Sequence, residues 1–104
     1  MNRSDNSMIQ VEIDRELVSV VPEYIENRQR DCLVIERLLA EGSLADIRTL
    51  GHRMKGSGGS YGFDEISEIG ENLECAALVS DSDSIRSAVE QLRRYLSRVS
   101  VTYV

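Results

Sequence analysis

Apolar residues recur every three or four positions along four segments of the chain, a spacing typical of one face of an α-helix. Pro22 suits the first turn of the first segment, and Gly42 ends it. Ser43 with Asp46 resembles a weak capping box at the start of the second segment, which runs towards Ser60. The apolar positions are Val21, Tyr24, Ile25, Cys32, Ile35 and Leu39, then Leu44, Ile47, Leu50 and Met54, then Ile66, Ile69, Leu73, Ala76 and Ala77, then Ile85, Val89, Leu92, Leu96 and Val99. The pattern predicts four amphipathic helices.

Four helices of about 16 to 20 residues joined by short turns pack as antiparallel neighbours. We therefore predict an all-α fold, an antiparallel up-and-down four-helix bundle that occupies residues 12–99 as one domain. A short extra helix is expected in front of it over residues 14–21, with Asp14 as its N-cap. Residues 1–11 are expected to form a flexible leader and residues 100–104 a tail, whose sequence is β-prone but short.

Composition and charge narrow the class of protein. The chain has 104 residues and a net charge of −6. It has no apolar run of the about 18 residues that a membrane span needs, and its first residues lack the apolar part of a secretion signal. Nucleic acid is an unfavourable partner, because that affinity comes mainly from Lys and Arg. We expect a cytoplasmic protein without a membrane or nucleic-acid partner, and a monomer, since the bundle closes its own core.

Metal-binding residues are scarce. The chain has one histidine and two cysteines, Cys32 and Cys75. These cannot form a closed tetrahedral site unless carboxylates join them, so no metal and no cofactor are expected. Both cysteines lie in apolar periodic segments and show no C-x-x-C spacing. We predict that both are reduced and packed.

The single histidine, His52, lies in the stretch LGHRMKGSGGSYGF, which holds five of the seven glycines. A helical wheel of about 100° per residue separates two faces of this segment. The core face holds Leu44, Ile47, Leu50, Gly51, Met54, Gly58 and Tyr61, and the outer face holds Arg48, His52, Lys55, Gly56 and Gly59. Each glycine inside a helix costs about 1 kcal/mol of stability relative to alanine. Glycines at these positions therefore indicate a requirement for close packing or for open space. Gly56 lies one turn from His52 and would leave the ring open to a large partner, whereas Gly51 and Gly58 are expected to allow close helix approach.

The residues around His52 indicate phosphoryl chemistry. Arg48 and Lys55 should attract anions and disfavour the imidazolium form of the ring. A neutral imidazole can attack phosphorus and form a covalent N–P intermediate, and Lys55 is a candidate to hold the phosphoryl oxygens. The chain has no P-loop, no kinase glycine loop and no evident acid cluster for magnesium. We therefore predict that it is not an enzyme in its own right and that its partners supply nucleotide and metal.

The stretch GHRMKGSGGSYGF, followed by LEC, resembles the signature of histidine-containing phosphotransfer (HPt) domains, and the similarity extends over about residues 14–98. The resemblance implies a four-helix bundle in which His52 accepts a phosphoryl group from a receiver-domain aspartate or a histidine kinase. His52 would then pass the group to another receiver aspartate. Lys55 and Gly56 correspond to the family's neighbouring lysine and access glycine. Gly51 departs from the family pattern, in which alanine is commoner at this position.

The resemblance also implies partners. These are a response-regulator receiver domain and a hybrid sensor histidine kinase, with Mg²⁺ held by the receiver. We predict that the receiver docks over Arg48, His52, Lys55, Gly56 and Gly59. The alternative is a helical interaction module that docks a receiver or kinase without carrying phosphate. A histidine-based hydrolase is disfavoured, because the sequence offers one histidine without a nearby nucleophile or metal.

Two further expectations concern the rest of the chain. The acidic segment DEISEIGENLE is predicted to be mainly a solvated helix face, with Glu68 or Asn72 as the candidate to approach His52 and orient it. The initial Met and the leader favour a free-standing protein over a domain of a larger sensor kinase.

Overall fold

The computed structural model describes residues 7–104, most of which lie in four α-helices. Helix α1 spans Val21–Ala40, α2 spans Leu44–Gly58, α3 spans Asp64–Leu78 and α4 spans Ser82–Arg98. The predicted helical class is confirmed, with a small pair of strands in addition. Over the described part of the chain, none of the helices combines the length and the apolar character that crossing a membrane requires.

Three helix ends follow local sequence signals, and one predicted signal is absent. Pro22 lies in the first turn of α1, where its missing N–H leaves no bond unmade. Gly42, with a φ of +73°, occupies the turn after α1. Asp81 caps α4, since its side chain accepts from the Ser84 N–H at 3.1 Å. The capping box predicted at Ser43 is wrong, because the Ser43 side chain makes no cap hydrogen bond.

Two strands join the ends of the chain. Strand β1 spans Ile9–Ile13 and strand β2 spans Val99–Tyr103, and they pair in parallel with Ile9 opposite Val99. The prediction of a flexible leader is therefore wrong for residues 9–11, and the predicted tail is mostly a strand. Alternation explains β1, since Ile13 is buried and the polar side chains between the apolar ones are exposed. The rest of the predicted leader, residues 1–6, lies outside the described residues.

The extra helix expected over residues 14–21 is a single 3-10 turn, Arg15–Leu17. Asp14 caps it as predicted, because its carboxylate accepts from the Glu16 N–H at 2.8 Å. None of the three residues of the turn is buried, and the following Val18 and Val20 are exposed. A longer helix here would have no apolar face to pack on the bundle, and short helices without packing are unstable.

The helices enclose one apolar core. The largest fully buried side chains are Ile13, Ile35, Ile47, Met54, Phe63, Ile66, Ile69, Leu73, Ile85 and Leu92. Each such side chain contributes about 1.5–3 kcal/mol relative to an exposed one. Most of these positions belong to the apolar stripes of the sequence, which therefore place each helix face correctly.

Tyr24 of α1 connects that helix to the far end of α2. Its ring stacks on Tyr61 with centroids 4.2 Å apart and on Phe63 at 5.8 Å, and the Arg28 guanidinium lies 4.5 Å from its centroid. The hydroxyls of Tyr24 and Ser57 share a hydrogen bond of 2.9 Å. Aromatic stacking of this kind adds about 0.5–1.5 kcal/mol to the burial of each pair. The end of α2 beyond His52 is thus held against α1.

Candidate functional site

Helix α2 presents two faces, as the wheel predicts. Ile47 and Met54 are 0 % and 1 % exposed and point into the core, and Gly51 is also buried. The His52 side chain is 71 % exposed. The orientation follows from burial of the apolar stripe, which leaves the imidazole on the outer surface of the helix.

Two glycines let α2 and α3 approach each other closely beside His52. A Cβ atom added to Gly51 would lie 2.7 Å from the backbone nitrogen of Glu74 and 2.8 Å from the carbonyl oxygen of Gly70. A Cβ added to Gly70 would lie 2.7 Å from the Gly51 carbonyl oxygen and still closer to the Lys55 backbone nitrogen. Gly70 was not singled out from the sequence. Backbone contact at this point fixes α3 directly behind the turn of α2 that carries His52 and Lys55.

The structure corrects the expected partner of the imidazole. His52 Nδ1 lies 3.1 Å from Glu74 Oε2, and the Glu74 side chain is only 22 % exposed. Glu68 and Asn72, which the sequence suggested, are exposed and make no bond to His52. Glu74 lies four residues after Gly70, so both are on the face of α3 that touches α2. Glu74 is the middle residue of the segment LEC, which is part of the HPt resemblance, and this was the only indication of its role in the sequence.

The bond to Glu74 defines the chemistry of the ring. A carboxylate accepts hydrogen bonds, so Nδ1 carries the proton and donates it towards Oε2. The neutral ring then has its lone pair on Nε2. A carboxylate partner of this kind fixes the tautomer and the orientation of a histidine ring. The arrangement can therefore present Nε2 as a nucleophile, with Glu74 ready to balance a positive charge on the ring.

Two exposed cations share the outer face of α2 with His52. Arg48 lines an open groove together with His52 and Glu74, and its neighbours Ala45 and Thr49 complete the lining. Arg48 and Lys55 are both exposed, and neither forms an ion pair within residues 7–104. Exposed cations without a carboxylate partner are free to bind phosphoryl oxygens. The parts predicted for both cations stay predictions, and the sequence did not indicate the acid that contacts the ring.

The remaining glycines of the motif differ in their surroundings. A Cβ added to Gly56 would have no atom within 4 Å, so this position is open as predicted. A Cβ added to Gly59 would touch Ser67 Oγ at 3.5 Å and Asp64 Oδ1 at 3.6 Å. Gly59 therefore lies against the start of α3, and its predicted part in partner binding stays a prediction. Gly62 ends the segment with a φ of +94°.

The two cysteines lie in different environments. Both are free thiols, as predicted. Cys32 is buried, and burial raises the pKa of its thiol. Cys75 is exposed, so the prediction that it is packed is wrong. Cys75 follows Glu74 directly, and it points away from the apolar stripe of α3 that includes Leu73. In residues 7–104, His, Cys, Asp and Glu form no group of three or more that could hold a metal ion.

Comparison with known proteins identifies the family of the chain. The family model of the Hpt domain matches residues 15–102. Members of this family are phosphotransfer carriers in two-component signalling, and they are carriers rather than catalysts. A comparison with curated proteins gave no match, and neither did a comparison with solved structures. The family match covers nearly the whole chain, including the exposed histidine and the helices that hold it, and the chain therefore belongs to the Hpt domain family.

Proposed function

We propose that the protein carries a phosphoryl group on Nε2 of His52, accepting it from an aspartyl phosphate of one receiver domain and passing it to an aspartate of another. The observation that carries this proposal is the contact of 3.1 Å between His52 Nδ1 and Glu74 Oε2 on a histidine that is 71 % exposed. It leaves Nε2 without a partner from the described residues, on an exposed side chain that a large partner can reach.

The atoms and charges of the transfer balance with this protein and a phosphorylated receiver alone. The lone pair of Nε2 attacks phosphorus, an N–P bond forms, and the acyl P–O bond of the aspartyl phosphate breaks, leaving the receiver carboxylate. The proton stays on Nδ1, and the Glu74 carboxylate balances the positive charge of the phosphorylated ring. In the second step a carboxylate oxygen of the next receiver attacks phosphorus, and the electron pair of the N–P bond returns to Nε2.

Three further residues assist the transfer in this proposal: Arg48, Lys55 and Gly56. The two exposed cations hold phosphoryl oxygens while charge redistributes between the donor and acceptor atoms. Gly56 leaves the approach to His52 open, since a side chain there would project from the same surface one turn away. Gly59 is assigned to the edge of the same docking surface.

The partners that fit this site are a receiver domain and a hybrid sensor histidine kinase. Phosphoryl transfer requires a metal ion to balance charge, and we assign the Mg²⁺ to the receiver. The protein itself takes no cofactor in this proposal. We further propose that it is monomeric and cytoplasmic.

The proposal includes an up-and-down antiparallel order of the four helices. Contacts support it at two interfaces. Along α2 and α3, Gly51 lies near Glu74 and Gly58 lies near Ser67, so the sequence numbers run in opposite directions. Tyr24 near the start of α1 likewise bonds Ser57 near the end of α2.

The direct test uses a panel of receiver domains that have been phosphorylated with acetyl phosphate in the presence of Mg²⁺. Radiolabelled phosphate should pass from at least one receiver to this protein, and the product should be labile in acid and stable in base. His52→Gln should remove the label while the helical circular dichroism stays the same. Label that persists in His52→Gln contradicts the proposal.

The same experiment distinguishes the phosphoryl carrier from the alternative function, a helical interaction module. A helical interaction module would bind a receiver or a kinase without becoming labelled. Binding of a phosphorylated receiver, measured by calorimetry, without transfer to the wild-type chain would therefore favour the interaction module over the phosphoryl carrier.

A further inference from the structure

Helix α3 contacts the part of α2 that carries His52 and Lys55 through three residues at helical spacing. These are Ser67, Gly70 and Glu74. Glu74 bonds the His52 ring, and Gly70 packs against the backbone nitrogen of Lys55. Ser67 is the remaining member of this row, and neither the family match nor the proposed function assigns it a part. Its hydroxyl makes two short hydrogen bonds to α2 and the turn that follows it.

The Ser67 hydroxyl replaces one backbone hydrogen bond at the end of α2. In a regular helix the Gly59 N–H would donate to the Lys55 carbonyl, four residues earlier. Here the Gly59 N–H donates to Ser67 Oγ at 2.7 Å, and Ser67 Oγ donates to the Lys55 carbonyl at 2.7 Å. A side chain inserted into the helix ladder in this way ties the end of α2 to α3 at this point.

The position of the Lys55 backbone is thereby set from α3 at two points. Gly70 contacts its nitrogen through close packing, and Ser67 holds its carbonyl oxygen through a hydrogen bond. The Lys55 side chain has no ion-pair partner within residues 7–104 that could hold it from outside. The direction in which its ammonium group leaves the helix therefore depends on how this backbone is held.

We infer that Ser67 is a positioning residue for phosphoryl transfer, which acts through Lys55 by bridging the Lys55 carbonyl and the Gly59 N–H. The inference rests on the proposed function, because it assigns Lys55 to the phosphoryl oxygens. Loss of the hydroxyl removes this bridge, so the Gly59 N–H pairs with the Lys55 carbonyl directly, which shifts the end of α2 and the lysine that it carries.

The test compares Ser67→Ala in two backgrounds, the wild type and Lys55→Met. The readout is the rate at which a receiver domain, phosphorylated with acetyl phosphate and Mg²⁺, labels the full chain. In the wild-type background we expect Ser67→Ala to slow transfer about fivefold, the effect of one net hydrogen bond. In the Lys55→Met background the same substitution should change the rate less than about twofold, because residues that act together are not additive.

Ser60→Ala is the matched control. Ser60 Oγ donates to the Gly56 carbonyl at 3.3 Å, so this variant also removes a serine hydroxyl bonded to a carbonyl of α2. It makes no bridge to α3, and its transfer rate should match the wild type. Ser67→Cys, assayed under reducing conditions, keeps nearly the same shape with a weakly bonding thiol and serves as the second variant if Ser67→Ala does not fold.

The outcomes are distinct. Equal slowing by Ser67→Ala in both backgrounds would show a general structural effect and overturn the inference, as would a rate equal to that of Ser60→Ala. Failure of every phosphorylated receiver to label the wild type would instead overturn the proposed function. Melting temperatures of all variants, measured in parallel, show whether a slow rate reflects unfolding.

Discussion

Two regions of α2 use glycine for opposite purposes: the surface where the helix packs on α3, and the outer surface around His52. Facing α3, backbone atoms occupy the space that a side chain at Gly51 or Gly70 would need. On the outer surface, a Cβ atom added to Gly56 would have no atom within 4 Å. The glycines between the helices therefore stabilise the fold by allowing contact, whereas Gly56 costs about 1 kcal/mol of helix stability. The comparison separates the structural role of Gly51 from the functional role that we propose for Gly56, within a single motif.

The largest effect on stability is expected at Gly70. Gly70→Ala places a methyl group against the Lys55 backbone nitrogen and the Gly51 carbonyl, neither of which can move without separating the helices. Overpacking of this kind should lower the free energy of unfolding by about 2–3 kcal/mol. Urea denaturation followed by circular dichroism measures it, with Gly56→Ala as the control, which should gain up to about 1 kcal/mol. An unchanged Gly70→Ala would show that the contact with α3 is not tight.

The next effect concerns access to the ring. Gly56→Leu adds a large side chain one turn from His52 on the open surface, and it should slow phosphoryl transfer about tenfold while keeping or improving stability. Transfer from a phosphorylated receiver and thermal unfolding of the same sample measure both quantities. Transfer at the wild-type rate would contradict the proposal that Gly56 keeps the approach to His52 open.

A smaller effect is expected where the two regions meet, at Glu74. Glu74→Gln keeps an oxygen that can accept from His52 Nδ1 but removes the charge that balances the phosphorylated ring, and charged hydrogen bonds are about twice as strong as neutral ones. Transfer should slow about fivefold, and stability should change by less than about 1 kcal/mol because the His52 side of the pair is exposed to solvent. Glu68→Gln removes an acid from an exposed position on the same helix and should have no effect. Equal rates for both variants would contradict the role given to Glu74.

The sequence predicted the parts of this molecule that depend on local pattern. The three-and-four spacing of Ile47, Gly51 and Met54 placed one face of α2 in the core, and His52 is on the other face for that reason. Pro22 and Gly62 also lie where their backbone preferences indicate. In each case one residue, or one helix face, determines the structure without information from a distant segment.

Features that depend on distant partners were missed. Strand β1 pairs with β2 from nearly the opposite end of the sequence, so the alternation in IQVEI does not by itself indicate a pairing partner. Glu74 was overlooked because its contact with His52 depends on how α3 is rotated against α2. That rotation is set by the approach of Gly51 to Gly70, which a wheel drawn for one helix cannot show.

The most direct measurement is the position of the N–P bond. Phosphorus and nitrogen NMR on protein labelled with ¹⁵N in its single imidazole, after transfer from a phosphorylated receiver, identifies the nitrogen that carries phosphorus. The contact of Nδ1 with Glu74 predicts a phosphoryl group on Nε2 of His52. Phosphorus on Nδ1, or on any residue other than His52, would contradict the account.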